Sequence, residues 1–397
     1  MGNRVVITGM GTVNPVGNTV DEFWDGLVSG KSGIGPLTRF DPTEFSTKIA
    51  AEVKNFDPTE YIEARAARKM DPFSHYALAA SIQAMDQAGL DAECDDPHRR
   101  GVILGCGIGG FETLEEAYRR LFDGGPRKIM PTAIPKLIGN IGPGNIALHF
   151  NMQGPTLLTV TACASGADAI GNAFHWIQRG VADVLIAGGA EACITQLGIG
   201  GFNVLHALST TYNDRPTEAS RPFDSGRDGF VLGEGAGIVV MEDLEHAKKR
   251  GATIYAELCG YGIANDSNHL TAPHPEGRGA IQAMTMALAD AGTDPADIDY
   301  INAHGTSTQL NDAMETLAVK KVFGGQAYNT PISSTKSMTG HCIGATGAIE
   351  MIAAVLAINT GQIPPTINLT DPDPKCDLDY VPNESRTAAV DAALSNS

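Results

Sequence analysis

Three residues stand where they could do covalent chemistry. Cys163 lies in TLLTVTACASGADAIGNAF, where a β-branched run gives way to small residues and then to a helical pattern. A thiol at such a junction meets free backbone N–H groups and the positive end of a helix dipole, both of which favour the thiolate. Ala162, Ala164, Ser165 and Gly166 allow a sharp turn and leave room for a bulky group on sulfur. His304, in NAHGTSTQLND after the apolar DYI, and His341, in STKSMTGHCIGATG, occupy polar, glycine-containing turns leading out of strands. Such strand ends are where α/β folds collect catalytic groups. Taken alone, a cysteine at a strand end is more often a buried apolar thiol. His98, His149, His175, His206 and His246, which lack such motifs, read as structural or surface residues.

One further pattern resolves differently. Gly105-Cys-Gly-Ile-Gly-Gly110 follows a strand and fits GxGxxG. A dinucleotide site would also need a second strand with an acidic end about 20 residues on, and no convincing one follows. Those glycines read instead as permitting close backbone approach near the site.

The elements that must position these residues alternate. Short β-rich runs at Arg4 to Thr8, Val102 to Leu104, Thr156 to Thr161 and Val184 to Ala187 are separated by alanine-rich helical stretches, which predicts a layered α/β fold. The second part repeats the order, with strands near Ile254 to Cys259, Asp299 to Asn302 and Pro331 to Ser334 and a helix over Gly279 to Ala291. AMDQAGLD (84 to 91) resembles ALADAGTD (287 to 294), and GADAIGNAFHWIQRG (166 to 180) has a loose counterpart in GATGAIEMIAAVLAINTG (344 to 361). This predicts a duplicated chain, residues 1–250 carrying the cysteine and 251–397 the two histidines, with the site between the halves. The turn and strand of GFVLGEGAGIVVMED (229 to 243) have no second copy, so the last strand is expected to be missing.

Bulk properties exclude other classes. With 28 Lys and Arg against 46 Asp and Glu, the net charge of −18 disfavours nucleic acid and anionic membranes as general partners. The longest apolar run, Met351 to Ile358, is far short of the roughly 20 residues of a membrane span, and MGNRVVITGMG lacks the zones of a signal peptide, so a cytoplasmic protein is expected. Seven scattered cysteines (94, 106, 163, 193, 259, 342, 376) without a CxxC pair argue against disulfides and a zinc site.

VTACASG, NAHGTST and STKSMTGH, in that order, resemble the Cys, His and Lys-His motifs of the β-ketoacyl-acyl-carrier-protein synthases, particularly the type II kind called synthase II. RPFDSGRDGFVLGEGAG, QIPPTINL and LDYVPNESR extend the resemblance over essentially the whole chain. It implies a thiolase-like duplicated fold of five α/β/α/β/α layers, a homodimer, and decarboxylative condensation of an acyl group on Cys163 with malonyl-carrier protein, with no cofactor. His304 and His341 would stabilise the enolate, with Lys336 and, from NDAMET, Asp312 and Glu315 ordering them. Thr306 and Thr308 would bind the carrier's pantetheine arm, and Ile108 and Phe202 would shape the acyl pocket and its gate. A monovalent cation is expected near Asn302, Glu350, Ser395 and Asn396. The acidic carrier protein needs a local basic patch, for which Arg65, Arg68 and Lys69, with Arg127 and Lys128, are the candidates.

The resemblance also implies a glycine- and phenylalanine-rich gate loop, a backbone oxyanion donor and a core strand beyond the SNS sequence, so the chain is expected to be incomplete. A thiolase would use a second catalytic cysteine in another pattern than TGHCIG. An initiating synthase would carry Asn where His341 stands, and a noncatalytic chain-length partner would not keep all three residues.

Overall fold

The computed structural model describes residues 2–93, 96–269 and 272–397; Cys94 lies outside them. Nine strands and five helices build the frame of the site. In chain order they are β1 (Val5–Val13), α1 (Pro72–Ala88), β2 (Arg100–Gly105), β3 (Thr156–Thr159), α2 (Ser165–Gln178), β4 (Val184–Glu191), β5 (Gly235–Asp243), β6 (Ala256–Leu258), α3 (Arg278–Ala291), β7 (Tyr300–Asn302), α4 (Gln309–Phe323), β8 (Ile332–Ser333), α5 (Thr346–Thr360) and β9 (Ala393–Ser395).

The first sheet runs β3-β2-β4-β5-β1-β6. Strand β2 is parallel to β3 and β4, whereas β5 lies antiparallel to β4 and β1, and β6 is antiparallel to β1. Because successive side chains point to opposite faces, β2 sends Val102 and Leu104 to one core and Ile103 to the other. The first core is closed by Ala77, Ala80 and Ala84 of α1; the second by Ile170 and Phe174 of α2 and Ile349 and Ile352 of α5. Both faces are therefore covered, and all nine residues of β1 are buried.

A second sheet, β8-β7-β9, is parallel throughout. Helix α5 packs on it from the middle of the molecule, while Leu288 of α3 and Val319 of α4 share a core with Ile301 and Ile332 on its other side. The layers are thus α1, first sheet, α2 with α5, second sheet, α3 with α4. This is the five-layered α/β arrangement that the resemblance implies. The central helices meet closely. A Cβ on Gly166 would stand 2.8 Å from the Gly344 carbonyl oxygen, and one on Gly347 would stand 2.9 Å from Ala167 Cβ.

The duplication is visible in backbone detail. Helix α1 and helix α3 both end on left-handed glycines, Gly89 and Gly292. The turns entering α2 and α5 each carry a non-glycine residue with positive φ, Ala162 (52°) and Ile343 (44°). The two sheets are unequal, however. The order β3-β2-β4 of the first sheet is matched by β8-β7-β9, but the first sheet continues through β5 to β1. Among the described residues no strand follows β9, and β6 pairs instead with β1. Between β9 and β6 lies a groove of about 250 Å³ lined by Ala283, Ala287, Met351 and Val355 from α3 and α5.

Residues Ile343–Thr360 are long and apolar enough to cross a membrane, but 72% of that window is buried inside the protein, so it is a core helix.

Candidate active site

The β-branched β3 ends at Thr159, and Ala162–Ala164 form one tight turn before α2 begins. The left-handed Ala162 bends the chain there, a conformation that typically costs about 1–3 kcal/mol and that clusters at functional sites. Ser165 secures the bend: its Oγ accepts from Thr161 N at 2.9 Å and donates to the Ala162 carbonyl at 2.7 Å. Cys163, within this turn, projects toward the second half of the chain.

His341 meets it. His341 Nε2 lies 2.9 Å from Cys163 Sγ, and its Nδ1 lies 3.0 Å from Thr346 Oγ1. A threonine hydroxyl can donate or accept, so Thr346 is compatible with either imidazole tautomer. The His341 backbone is locked against the stretch before β5: its N–H donates to Val231 O, and Gly233 N donates to its carbonyl. His304 follows β7 and stands at 89° to His341, with ring centroids 5.5 Å apart. Glu315 on α4 holds it by accepting from His304 N at 2.8 Å and Gly305 N at 2.7 Å.

Burial, followed by the positive charge of Lys336, pushes both imidazoles well below their ordinary pKa. Both histidines are therefore neutral at physiological pH and can donate a hydrogen bond without carrying charge. The thiol departs from the sequence expectation. Burial pushes Cys163 up to about 11, and the opposing effects of Lys336 and of its own backbone N–H are smaller. The resting group is a thiol hydrogen-bonded to a neutral imidazole, because at this site desolvation outweighs the helix start.

The sulfur and the two ring nitrogens lie within 4.8 Å of one another. A tetrahedral zinc would hold its sulfur and nitrogen ligands about 3.5 Å apart given its usual bond lengths. The 2.9 Å between Cys163 and His341 is instead a hydrogen-bond distance.

Two family models match the chain in succession: β-ketoacyl synthase, N-terminal domain, over residues 2–247, and β-ketoacyl synthase, C-terminal domain, over residues 255–370. The chain belongs to the β-ketoacyl synthase family. It is 50% identical to the 3-oxoacyl-[acyl-carrier-protein] synthase 2 of Synechocystis sp., over 99% of this chain and 94% of the relative. With the protein of that name from Coxiella burnetii it shares 51% identity over 99% and 95%. Among solved structures, a β-ketoacyl synthase from Burkholderia phymatum superposes with a TM-score of 0.89 at 37% identity, covering 98% of this chain and 94% of that one. A chain from the complex of a type II polyketide acyl-carrier protein with its ketosynthase superposes at 0.92 and 36% identity, covering 100% and 96%.

In this synthase the charged residues sort differently from the expected cluster. Lys336 is fully buried, and its Nζ donates to Glu350 Oε1 at 2.5 Å. Glu315 binds the His304 loop and also accepts from Asn396 Nδ2 at 2.7 Å. Asp312 is set apart: it accepts from Phe223 N at 2.9 Å and lies 3.6 Å from Arg227, which ties the α4 start to the RPFDSGRDG stretch. Its contacts do not reach either histidine, because on α4 it stands nearly a turn before Glu315.

Thr306 and Thr308 share a hydrogen bond of 2.9 Å at the mouth of the His304 loop. Ile108 is 37% exposed on the turn after β2. Phe202 packs edge-on against Phe230, whose ring in turn packs edge-on against His341. Arg65, Arg68, Lys69, Arg127 and Lys128 are all exposed, and none forms an ion pair among the described residues. Sequence reasoning missed Thr346, Phe230 and Glu191, and gave Glu350 a different role.

Proposed function

We propose that the synthase elongates acyl chains by decarboxylative condensation. Cys163 attacks the thioester of an acyl-carrier protein, His341 Nε2 takes the thiol proton, and the carrier leaves as its thiol, so acyl-cysteine is formed. Malonyl-carrier protein then loses carbon dioxide. The electron pair of the broken carbon–carbon bond becomes an enolate, whose oxygen is stabilised by N–H donors from His304 and from His341 in its Nε2–H tautomer, with Thr346 Oγ1 then donating to Nδ1. The enolate carbon attacks the acyl carbonyl, the carbon–sulfur bond breaks with its electron pair returning to Cys163, which takes up a proton from solvent by way of His341, and 3-oxoacyl-carrier protein departs, as in the chain elongation of fatty-acid synthesis. The observation that carries this reading is the 2.9 Å contact of Cys163 with a neutral His341, with neutral His304 beside it.

Other parts of the reading follow the same logic. Residues 1–250 and 251–397 are taken as the two units. Arg65, Arg68 and Lys69, with Arg127 and Lys128, would receive the acidic carrier, and their freedom from ion pairs supports this. Thr306 and Thr308 would hold the pantetheine arm, while Ile108 and Phe202 would bound the acyl pocket. Among the described residues the outer edge of β3 is unpaired, with Val160 60% exposed beside it and Leu148 83% exposed on the helix packed against that strand, which favours a homodimer through this edge. Among the described residues Asn302 Oδ1 and Glu350 Oε2 are buried without a hydrogen-bond partner, which suits a monovalent cation held by these residues with Ser395 and Asn396. Such an ion would supply only positive charge beside Glu350. We place the enzyme in the cytoplasm.

Incubation with labelled acyl-carrier protein followed by peptide mapping tests the central step. Label on Cys163 alone is expected; stable acylation of another cysteine would overturn the assignment.

A further inference from the structure

Glu191 ends β4 fully buried, with no cationic partner among the described residues. Its carboxylate is nevertheless crowded with donors. Oε2 accepts from Gly107 N at 2.7 Å and from Gly344 N at 3.1 Å; Oε1 accepts from Ile108 N and from Cys106 Sγ, each at 3.3 Å. These donors come from two places: the turn that carries Ile108, and the turn that follows His341. The packing leaves little slack. A Cβ on Gly107 would stand 2.8 Å from Glu191 Oε2, and one on Gly344 would stand 2.5 Å from Gly107 N.

Within the turn after β2, the other N–H groups find partners elsewhere. Cys106 N donates to Thr159 O and Gly110 N to Leu137 O, while Gly109, at φ 89°, donates to Cys106 Sγ. The two amides that fix Ile108 and its predecessor therefore depend on one side chain. Burial holds this carboxyl up at about 7 in spite of its four donors, so the protein keeps it at an energetic cost.

We propose that Glu191 is the positioning residue for acyl selectivity, clamping the Ile108 turn to the turn after His341 so that the pocket wall keeps a fixed distance from the catalytic imidazole. This rests on the reading of Ile108 as a wall of the acyl pocket. With the clamp intact, Ile108 limits chain length; with it loosened, the wall recedes and long chains gain relative to short ones.

The test is Glu191→Gln, an isostere that turns one acceptor into a donor facing N–H groups. Cys163 acylation and condensation are measured with butyryl- and tetradecanoyl-carrier protein, with Glu191→Asp as the conservative control. The ratio of kcat/KM for the long over the short chain should rise on the order of tenfold in Glu191→Gln, mostly through KM, and fall back toward the parental ratio in Glu191→Asp. Gly107→Ala approaches the clamp from the other side with the carboxylate retained, and should shift the ratio in the same direction if Glu191→Gln does not fold. Equal loss for both chain lengths in whichever variant folds would overturn the proposal while leaving the function intact. Failure of the parental enzyme to acylate Cys163 at all would overturn both.

Discussion

The turns that enter α2 and α5 share one backbone and divide the chemistry between them. Ala162 and Ile343 both take positive φ, Ser165 and Thr346 follow three residues later, and Gly166 and Gly347 then allow the helices to touch. In this register Cys163 corresponds to Gly344. The first copy keeps a nucleophile at the bend. The second has no side chain there, and its backbone N–H binds Glu191 while His341, two residues before its bend, reaches across to the sulfur. A duplicated scaffold thus offers two equivalent strained corners, and function needs them to be unequal: one supplies the reacting atom, the other the groups that handle proton and charge.

The inequality extends to buried charge. In the first half, burial alone would raise Glu242, but hydrogen bonds from Arg250, His246 and Thr8 outweigh it and hold its pKa at about 2. At the junction of the halves, burial dominates, and Glu191 and Glu350 are raised to about 7. The signs are opposite. Glu242 contributes stability that is present above its unfolded pKa, near 4.5, and is lost as pH falls toward about 2. The junction carboxylates weaken folding as pH rises from about 4.5 to about 7, because ionisation is then favoured more in the unfolded chain.

The largest effect expected from this contrast is in Glu242→Gln, which should lose on the order of 3 kcal/mol at neutral pH and show a flatter acid limb in melting temperature against pH. An unchanged acid limb would remove the distinction. Next is Gly344→Ala, whose new methyl would meet Gly107 and Cys106 backbone at 2.5 to 2.9 Å. A loss of about 2 kcal/mol by denaturant unfolding is expected, whereas Ala164→Gly, one residue after Cys163, should cost no more than about 1 kcal/mol. Equal losses would mean the two corners are not differently packed. The smallest effects belong to the surface. Each exposed charge contributes about 0.2 to 1 kcal/mol, so reversal of Arg65, Arg68 and Lys69 together should raise the Michaelis constant for carrier-bound substrate severalfold at low salt. Reaction with a small pantetheine thioester should be spared; equal loss with both substrates would exclude docking at this helix.

Much of the site was legible because its chemistry resides in side chains. Cys163, His304 and His341 lie in distinctive motifs after apolar strands, and the alternation of elements points to a layered α/β fold. What escaped was carried by the backbone. Positive φ at Ala162 and Ile343 leaves no mark in the sequence, since neither residue type announces it. Glu191 lies in the plain stretch AGGAEA, and its partners are mostly main-chain amides of residues chosen for smallness. The thiolate expectation failed because a helix start is a local feature, whereas desolvation of Cys163 comes from the second half folding over it. The resemblance groups Lys336 with Asp312 and Glu315, whereas tertiary packing pairs it with Glu350.

The division of labour between the corners is tested most directly by measuring carbon dioxide release from malonyl-carrier protein beside acyl transfer to the enzyme, in Cys163→Ala and His304→Ala. Cys163→Ala should still release carbon dioxide but accept no acyl group. His304→Ala should be acylated at Cys163 yet lose decarboxylation on the order of a hundredfold or more, the usual cost of one donor at a developing oxyanion. Parental carbon dioxide release by His304→Ala, or condensation by Cys163→Ala, would contradict the account.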